Sequence, residues 1–248
     1  MAAYFKLARP DGFDFHSGKT INYRAAIGGT VEAPDWVSSA YCGNGLHYSA
    51  NPNDCFVGAK IPCSAYEVEP VGRSHRKIDS QKSKAKTLRV LREITDLNTL
   101  FGWNYEEAAS PVHPFKITRS SEPNASELEL LRQWASVGDS VLESVGDSVE
   151  ESVGVSVWAS VSDSLWASVS KSMVGVSVWA SVWESVRAYM GSLFPGIEEW
   201  KYVEHDPGVY PFQPAVDLWR AGLAPSYDGS LWRLHAGPDG KAVWEGTI

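Results

Sequence analysis

The chain has 248 residues, with 30 Asp and Glu against 22 Lys and Arg and a formal net charge of −8, so its surface as a whole repels nucleic acid and anionic membrane. That length suits one large or two small domains. No run of about 18 uncharged apolar residues occurs and Met1 to Pro10 has no basic-then-apolar leader, so neither a membrane span nor export is expected. The odd set Cys42, Cys55 and Cys63 fits a reducing cytosol.

Residues 1–95 read as a mixed, strand-rich α/β domain. Short β-prone runs at 4–7, 20–23, 46–49, 65–71 and 87–94 are punctuated by Pro and Gly. Arg73, Arg76, Lys77, Lys82, Lys84, Lys86, Arg89 and Arg92 form a local basic cluster around the last two runs. It reads as a solvated loop and strand edge, with an anion or phosphate site as the other reading. Residues 96–123 are a connector carrying Pro111, Pro114 and Pro123. Asn124 then stands at an N-cap position with Glu127 three residues on, and Leu128, Leu130, Leu131 and Trp134 continue as a helix.

Thirteen copies of a Ser-Val-x-x unit follow from Ser136 to Ala188, within a segment 124–194 that has helical flanks. The acids Asp139, Glu143, Asp147, Glu150, Glu151, Asp163 and Glu184 against Lys171 and Arg187 give the repeats from Ser136 to Ala188 a charge of −5. As an α-helix, the unit turns its Val stripe by about 40° per copy, so a long helix offers no fixed face. A fold-back at Met173 to Val176, where Gly175 and a one-residue phase shift coincide, answers that difficulty. A β-solenoid with Val inward is the alternative, since Val and Trp favour strands and Ser is a poor helix-interior residue. The flanks favour the helix. Position three varies freely, and Gly-Val-Ser-Val-Trp-Ala-Ser-Val recurs unchanged at 154–161 and 175–182. Trp158, Trp166, Trp179 and Trp183 are therefore the candidate partner-binding residues, with packing against neighbouring parts of the chain as the other reading.

Residues 195–248 read as a small aromatic cap with Trp200, Tyr202, Tyr210, Phe212, Trp219, Tyr227, Trp232 and Trp244. A short helix is expected around Asp217-Leu218-Trp219, a turn at Tyr227-Asp228-Gly229 and a strand at 231–234. The fold class expected for the whole is α+β. No metal site is expected, because Cys42, His47, Cys55 and Cys63 lack the close Cys-x-x-Cys pair of structural zinc sites.

Gly45-Leu46-His47-Tyr48-Ser49, Asp54-Cys55-Phe56, Tyr66-Glu67-Val68-Glu69 with Gly72, and the stretch from Leu88 to Glu93-Ile94-Thr95 together resemble an uncharacterised domain of phage and prophage proteins. In that family the domain is commonly followed by short tandem repeats and an aromatic tail similar to residues 211–235. The resemblance implies a phage- or prophage-encoded protein, in the host cytoplasm or on the virion; the variable third positions of the repeat imply a protein partner, and no cofactor is expected. The N-terminal domain also resembles ADP-ribosyltransferases. Gly43-Asn44-Gly45-Leu46-His47-Tyr48-Ser49 is similar to their Gly-x-Gly strand, and Glu93 ends a later strand. This second resemblance implies NAD as substrate, Tyr48 stacked on nicotinamide, Ser49 supporting the acid, and Glu93 stabilising the oxocarbenium-like state. Arg9 and His16 are the upstream candidates for the NAD clamp.

Overall fold

The computed structural model describes residues 3–39, 41, 43–75, 82–119, 122–169 and 176–248, with side chains described outside 176–181. Two compact units form: Met1–Gly102 with Val153–Ser160, and Trp103–Ser152 with Val161–Ile248. The class is α+β, with an N-terminal antiparallel sheet, a helical middle and a C-terminal antiparallel sheet.

In the first unit β1 (Tyr4–Ala8), β2 (Thr30–Glu32), β3 (Leu46–Tyr48), β4 (Ser64–His75) and β5 (Ser83–Ile94) make one five-stranded sheet. The long β4–β5 hairpin is its spine. The edge of β5 away from β4 is shared, with β3 paired at Ser83 to Ala85 and β2 at Thr87 to Arg89. β1 lies on the outer edge of β4, and the bridge Phe5↔Ser49 joins it to the end of β3. That bridge closes β1, β4, β5 and β3 into a ring.

Cross-strand neighbours share a face, so Leu46, Tyr48, Tyr66, Val68, Ala85, Leu88 and Val90 collect inside the ring as a buried cluster. Each large apolar side chain buried there contributes about 1.5–3 kcal/mol. The expected strand at 20–23 forms only the isolated bridge Phe13↔Asn22. Its apolar residues Ile21 and Tyr23 are nonetheless buried against the cluster; their alternation reports core burial from a loop, not a strand. The strand found beyond them is β2, absent from the sequence reading. α1 (Leu97–Phe101) ends the continuous part of this unit, capped by Asp96 and by Gly102 in the left-handed region.

The second unit contains α2 (Tyr105–Ala109), α3 (Ala125–Ala135), most of α4 (Val141–Val153), the later part of α5 (Val155–Val169), then α6 (Val176–Gly191) and α7 (Gln213–Arg220). α3 starts with a full capping box between Asn124 and Glu127, and Arg119 grips the Glu127 carboxylate at 2.6 Å. Apart from the turn at Ser136 and Val137 and a break at Gly154, the described part of the Ser-Val-x-x segment is helical, so the β-solenoid alternative is corrected. Short helices explain why. α4 spans 13 residues, over which the drift of its Val stripe stays near 120°, and Val141, Val145 and Val149 are all buried. The helix then breaks at Gly154, whose φ of 102° suits glycine, and its carbonyl accepts from Val157 and Trp158 to start α5. The fold-back expected at 173–176 lies, apart from Val176, outside the described residues.

Small Ser side chains bond backbone at close range: Ser148 Oγ accepts from Lys201 N at 3.1 Å, and Ser164 Oγ and Ser185 Oγ donate to Ala108 O and Pro225 O. Tyr189 stacks on Trp219 at 5.7 Å, and Trp219 Nε1 donates to Val112 O. The chain ends in an antiparallel sheet of β6 (Ala224–Tyr227), β7 (Trp232–Ala236) and β8 (Lys241–Gly246), of which the sequence reading foresaw only β7. Among the described residues no helix is long and apolar enough to cross a membrane.

Candidate functional site

The first unit holds a cleft of about 530 Å³ where β1, β3 and the start of β5 meet the loops after β1 and β2. Its floor carries an ion pair, Lys6 Nζ to Asp14 Oδ2 at 2.7 Å, with both side chains largely buried. Burial by itself would raise the Asp14 pKa; the Lys6 ammonium and the His16 and Ser17 amides outweigh it and bring it down to about 2. Lys6 in turn is held above the usual lysine value despite burial, by Tyr23 and Asp14.

Lys84, on β5, is 0 % exposed. Its ammonium donates to Ser39 Oγ, Tyr41 O and Gly43 O at 2.9–3.2 Å, and lies 5.6 Å from the centre of the Trp36 ring. These bonds fix the loop that leads into β3. Gly43, Asn44 and Gly45 all have positive φ, and a Cβ on Gly45 would stand 3.1 Å from the Trp36 ring. The glycines flanking Asn44 thus serve a turn folded over a buried cation.

His47 is the cross-strand partner of Lys84 and lines the cleft. Its Nε2 is buried without a hydrogen-bond partner among the described residues. Burial first, then the charges of Lys6, Lys82 and Lys84, push its pKa down to about 4. Cys55 also faces the cleft, but its thiol donates to Phe5 O at 3.3 Å and burial pushes it up to about 12, which keeps it from acting as a thiolate nucleophile at neutral pH.

Of the residues named by the ADP-ribosyltransferase resemblance, Tyr48 lines the cleft but is 1 % exposed, packed edge-on against Tyr4 at 5.2 Å. Ser49 turns to Asp54, its Oγ 3.3 Å from that carboxylate. Glu93 stands apart from the cleft lining, both carboxylate oxygens taken by Arg24 at 2.8 and 3.1 Å. His16 lines the cleft and bonds Gly58 O, while Arg9 reaches Asp11 and Gly18 O. The sequence reading missed Lys6, Asp14 and the burial of Lys84. The one signal available was the every-second-residue spacing of Lys82, Lys84 and Lys86.

In the second unit Trp166 is 47 % exposed and packs edge-on against half-buried Trp183 at 5.3 Å, with the Arg187 guanidinium 5.5 Å from the Trp183 ring centre. Trp158, in the first unit, is 8 % exposed, and the Trp179 side chain lies outside the described residues. From Asp139 to Ala167 it is the fourth residue of nearly every unit that is exposed, whereas third-position Gly138, Gly146 and Trp158 are buried. Ser226 Oγ and His235 Nε2 lie 2.8 Å apart, with His235 Nδ1 on Gly240 O, but both side chains are buried and the pair clips β6 to β7. Among the described residues no group of three His, Cys, Asp or Glu is placed to hold a metal ion; Cys42 lies outside them.

Residues 12–101 match a family described as a domain of unknown function, DUF7666. The match carries neither a phage origin nor an activity. No curated protein and no solved structure matches the chain.

Proposed function

We propose that this is a phage- or prophage-encoded interaction protein, working in the host cytoplasm or on the virion, whose helical Ser-Val-x-x segment presents an aromatic surface to a protein partner. The observation that carries this reading is the Trp166–Trp183 pair. A tryptophan left 47 % exposed beside a second ring and an arginine combines the residue types that dominate binding hot spots. The acidic fourth positions along the same segment supply a polar rim and select against acidic partners.

The test is capture from a bacterial lysate by the full chain and by its Trp166→Ala variant. Loss of an exposed hot-spot tryptophan weakens capture by about 30-fold or more, with little change in melting temperature. Equal yields of the same proteins with both chains would sink the reading.

A second reading, an NAD-dependent ADP-ribosyltransferase-like modifier, draws support from the placement of Tyr48 and the Gly43-Asn44-Gly45 turn on the wall of one cleft. Its catalytic acid would be Glu93, released from Arg24 when substrate binds. Incubation with labelled NAD gives transfer that Glu93→Gln abolishes; no transfer by the native chain removes this reading.

A further inference from the structure

We propose that the cleft of the first unit is the binding site of a small organic anion, its carboxylate or phosphate group lodged against His47 beside the lysines of β5. This inference is independent of the aromatic surface and requires no transfer chemistry.

Charge balance around Lys84 points to such a ligand. Lys84 is fully buried, and the acceptors of its three donors are a hydroxyl and two carbonyls. Among the described residues no carboxylate pairs with it. Neutral dipoles satisfy its hydrogen bonds but leave its charge in place, and a buried charge without a counter-ion is costly. Gly43, whose carbonyl holds this ammonium, is itself part of the cleft wall. An anion lodged there supplies the missing counter-charge.

Position points the same way. Lys82, two residues before Lys84, lines the cleft, as does His47, the cross-strand partner of Lys84. The buried Nε2 of His47 has no partner among the described residues, and an imidazole N–H left without an acceptor is a ready donor to an oxyanion. Further charges of the cleft have partners of their own. Lys6 is paired with Asp14, Asp35 accepts from Gly45 N, and Asp54 accepts from Ser49 Oγ and Asn51 Nδ2. The pKa of His47 is lowered by burial first, and then by three lysines against one opposing aspartate, which reflects the same positive surroundings.

Apolar side chains make up much of the remaining wall. Leu7, Ile21, Pro34, Leu46 and Val57 are among them, and the cleft's volume of about 530 Å³ is in the range of small-molecule sites. The fitting ligand therefore has a compact apolar or aromatic body with one anionic group, rather than a polyanion.

Binding is also coupled to protonation. An anion against His47 restores the proton that burial and the lysines remove, so affinity rises as the pH falls from about 6.5 towards 4. The groups around the cleft that set this balance are Lys6 on β1, Asp14 and His16 in the loop after it, Asp35 before β3, Asp54 and Cys55 in the turn after it, and Lys82 and Lys84 on β5.

The experiment is calorimetric titration of the full chain with benzoate, phenyl phosphate and benzamide, the last a neutral isostere of benzoate. It is repeated with the His47→Gln and Lys82→Ala variants, whose folding is checked by melting. At least one anion binds about tenfold or more tighter than benzamide, and either variant cuts that preference to about threefold or less. Preference for benzoate assigns a carboxylate ligand, and preference for phenyl phosphate a phosphate ester. Benzamide binding as tightly as both anions, no binding of either anion at about 10 mM, or a preference unchanged in both variants overturns the proposal.

Discussion

His47 and Asp14 sit in one cleft, yet acid acts on them in separate windows. The folded pKa of His47 is about 4, below the ordinary 6.5, because burial and three lysines disfavour the imidazolium. Between those values the unfolded chain holds a proton that the folded chain refuses, so stability is complete above about pH 6.5 and falls as the pH drops towards 4, by up to about 3 kcal/mol. Asp14 is depressed from 3.8 to about 2. Its contribution is present above about pH 4 and is lost as the pH falls through 2. Urea unfolding at a series of pH values separates the two: His47→Gln flattens the upper slope and leaves the lower one. Parallel loss of stability by native and variant chains between pH 6.5 and 4 would show that His47 is not the group responsible.

At the level of elements, what the sequence made legible was what is decided locally. The Asn124–Glu127 capping box, the strands that became β1, β3, β4 and β5, and the short helix around Trp219 each carry their signal within a few residues. The run at 20–23 misled because a buried loop with Ile21 and Tyr23 has the same alternation as a strand. β2 was invisible for the converse reason, since it forms by pairing with the distant β5, whereas β6 and β8 are hairpin neighbours of β7 whose own runs, Ala-Pro-Ser-Tyr and Lys-Ala-Val-Trp-Glu-Gly, carry little strand patterning. The Ser-Val-x-x segment shows how tertiary burial overrides propensity. A four-residue repeat is close to the helical period, and the mismatch is harmless once Gly154 ends one helix and starts the next. The candidate site was least legible of all. Nothing local distinguishes the buried Lys84 from Lys86, which reaches Glu32 at the surface; only the loop from Trp36 to Gly43, folded over Lys84, decides which lysine is enclosed.

For the molecule as a whole, the compact first unit is larger than the contiguous family match, which starts at residue 12. The match ends at residue 101, whereas the unit also includes Val153–Ser160, with Val157 and Trp158 buried. A chain cut after Gly102 keeps the ring, the cleft and α1 but loses those two side chains. Each large apolar group so removed withdraws about 1.5–3 kcal/mol of burial. For a domain of about 100 residues, 1 kcal/mol corresponds to about 4–8 °C in melting temperature. The fragment 1–102 is therefore expected to melt at least about 6 °C below the first-unit transition of the full chain. Joining residues 153–160 to it through a flexible Gly/Ser linker recovers part of the loss, because the segment then returns at high effective concentration. A fragment 1–102 that melts with the full chain, and gains nothing from the added segment, would mean that the contiguous domain is the folding unit and that residues 153–160 contribute no stability to it.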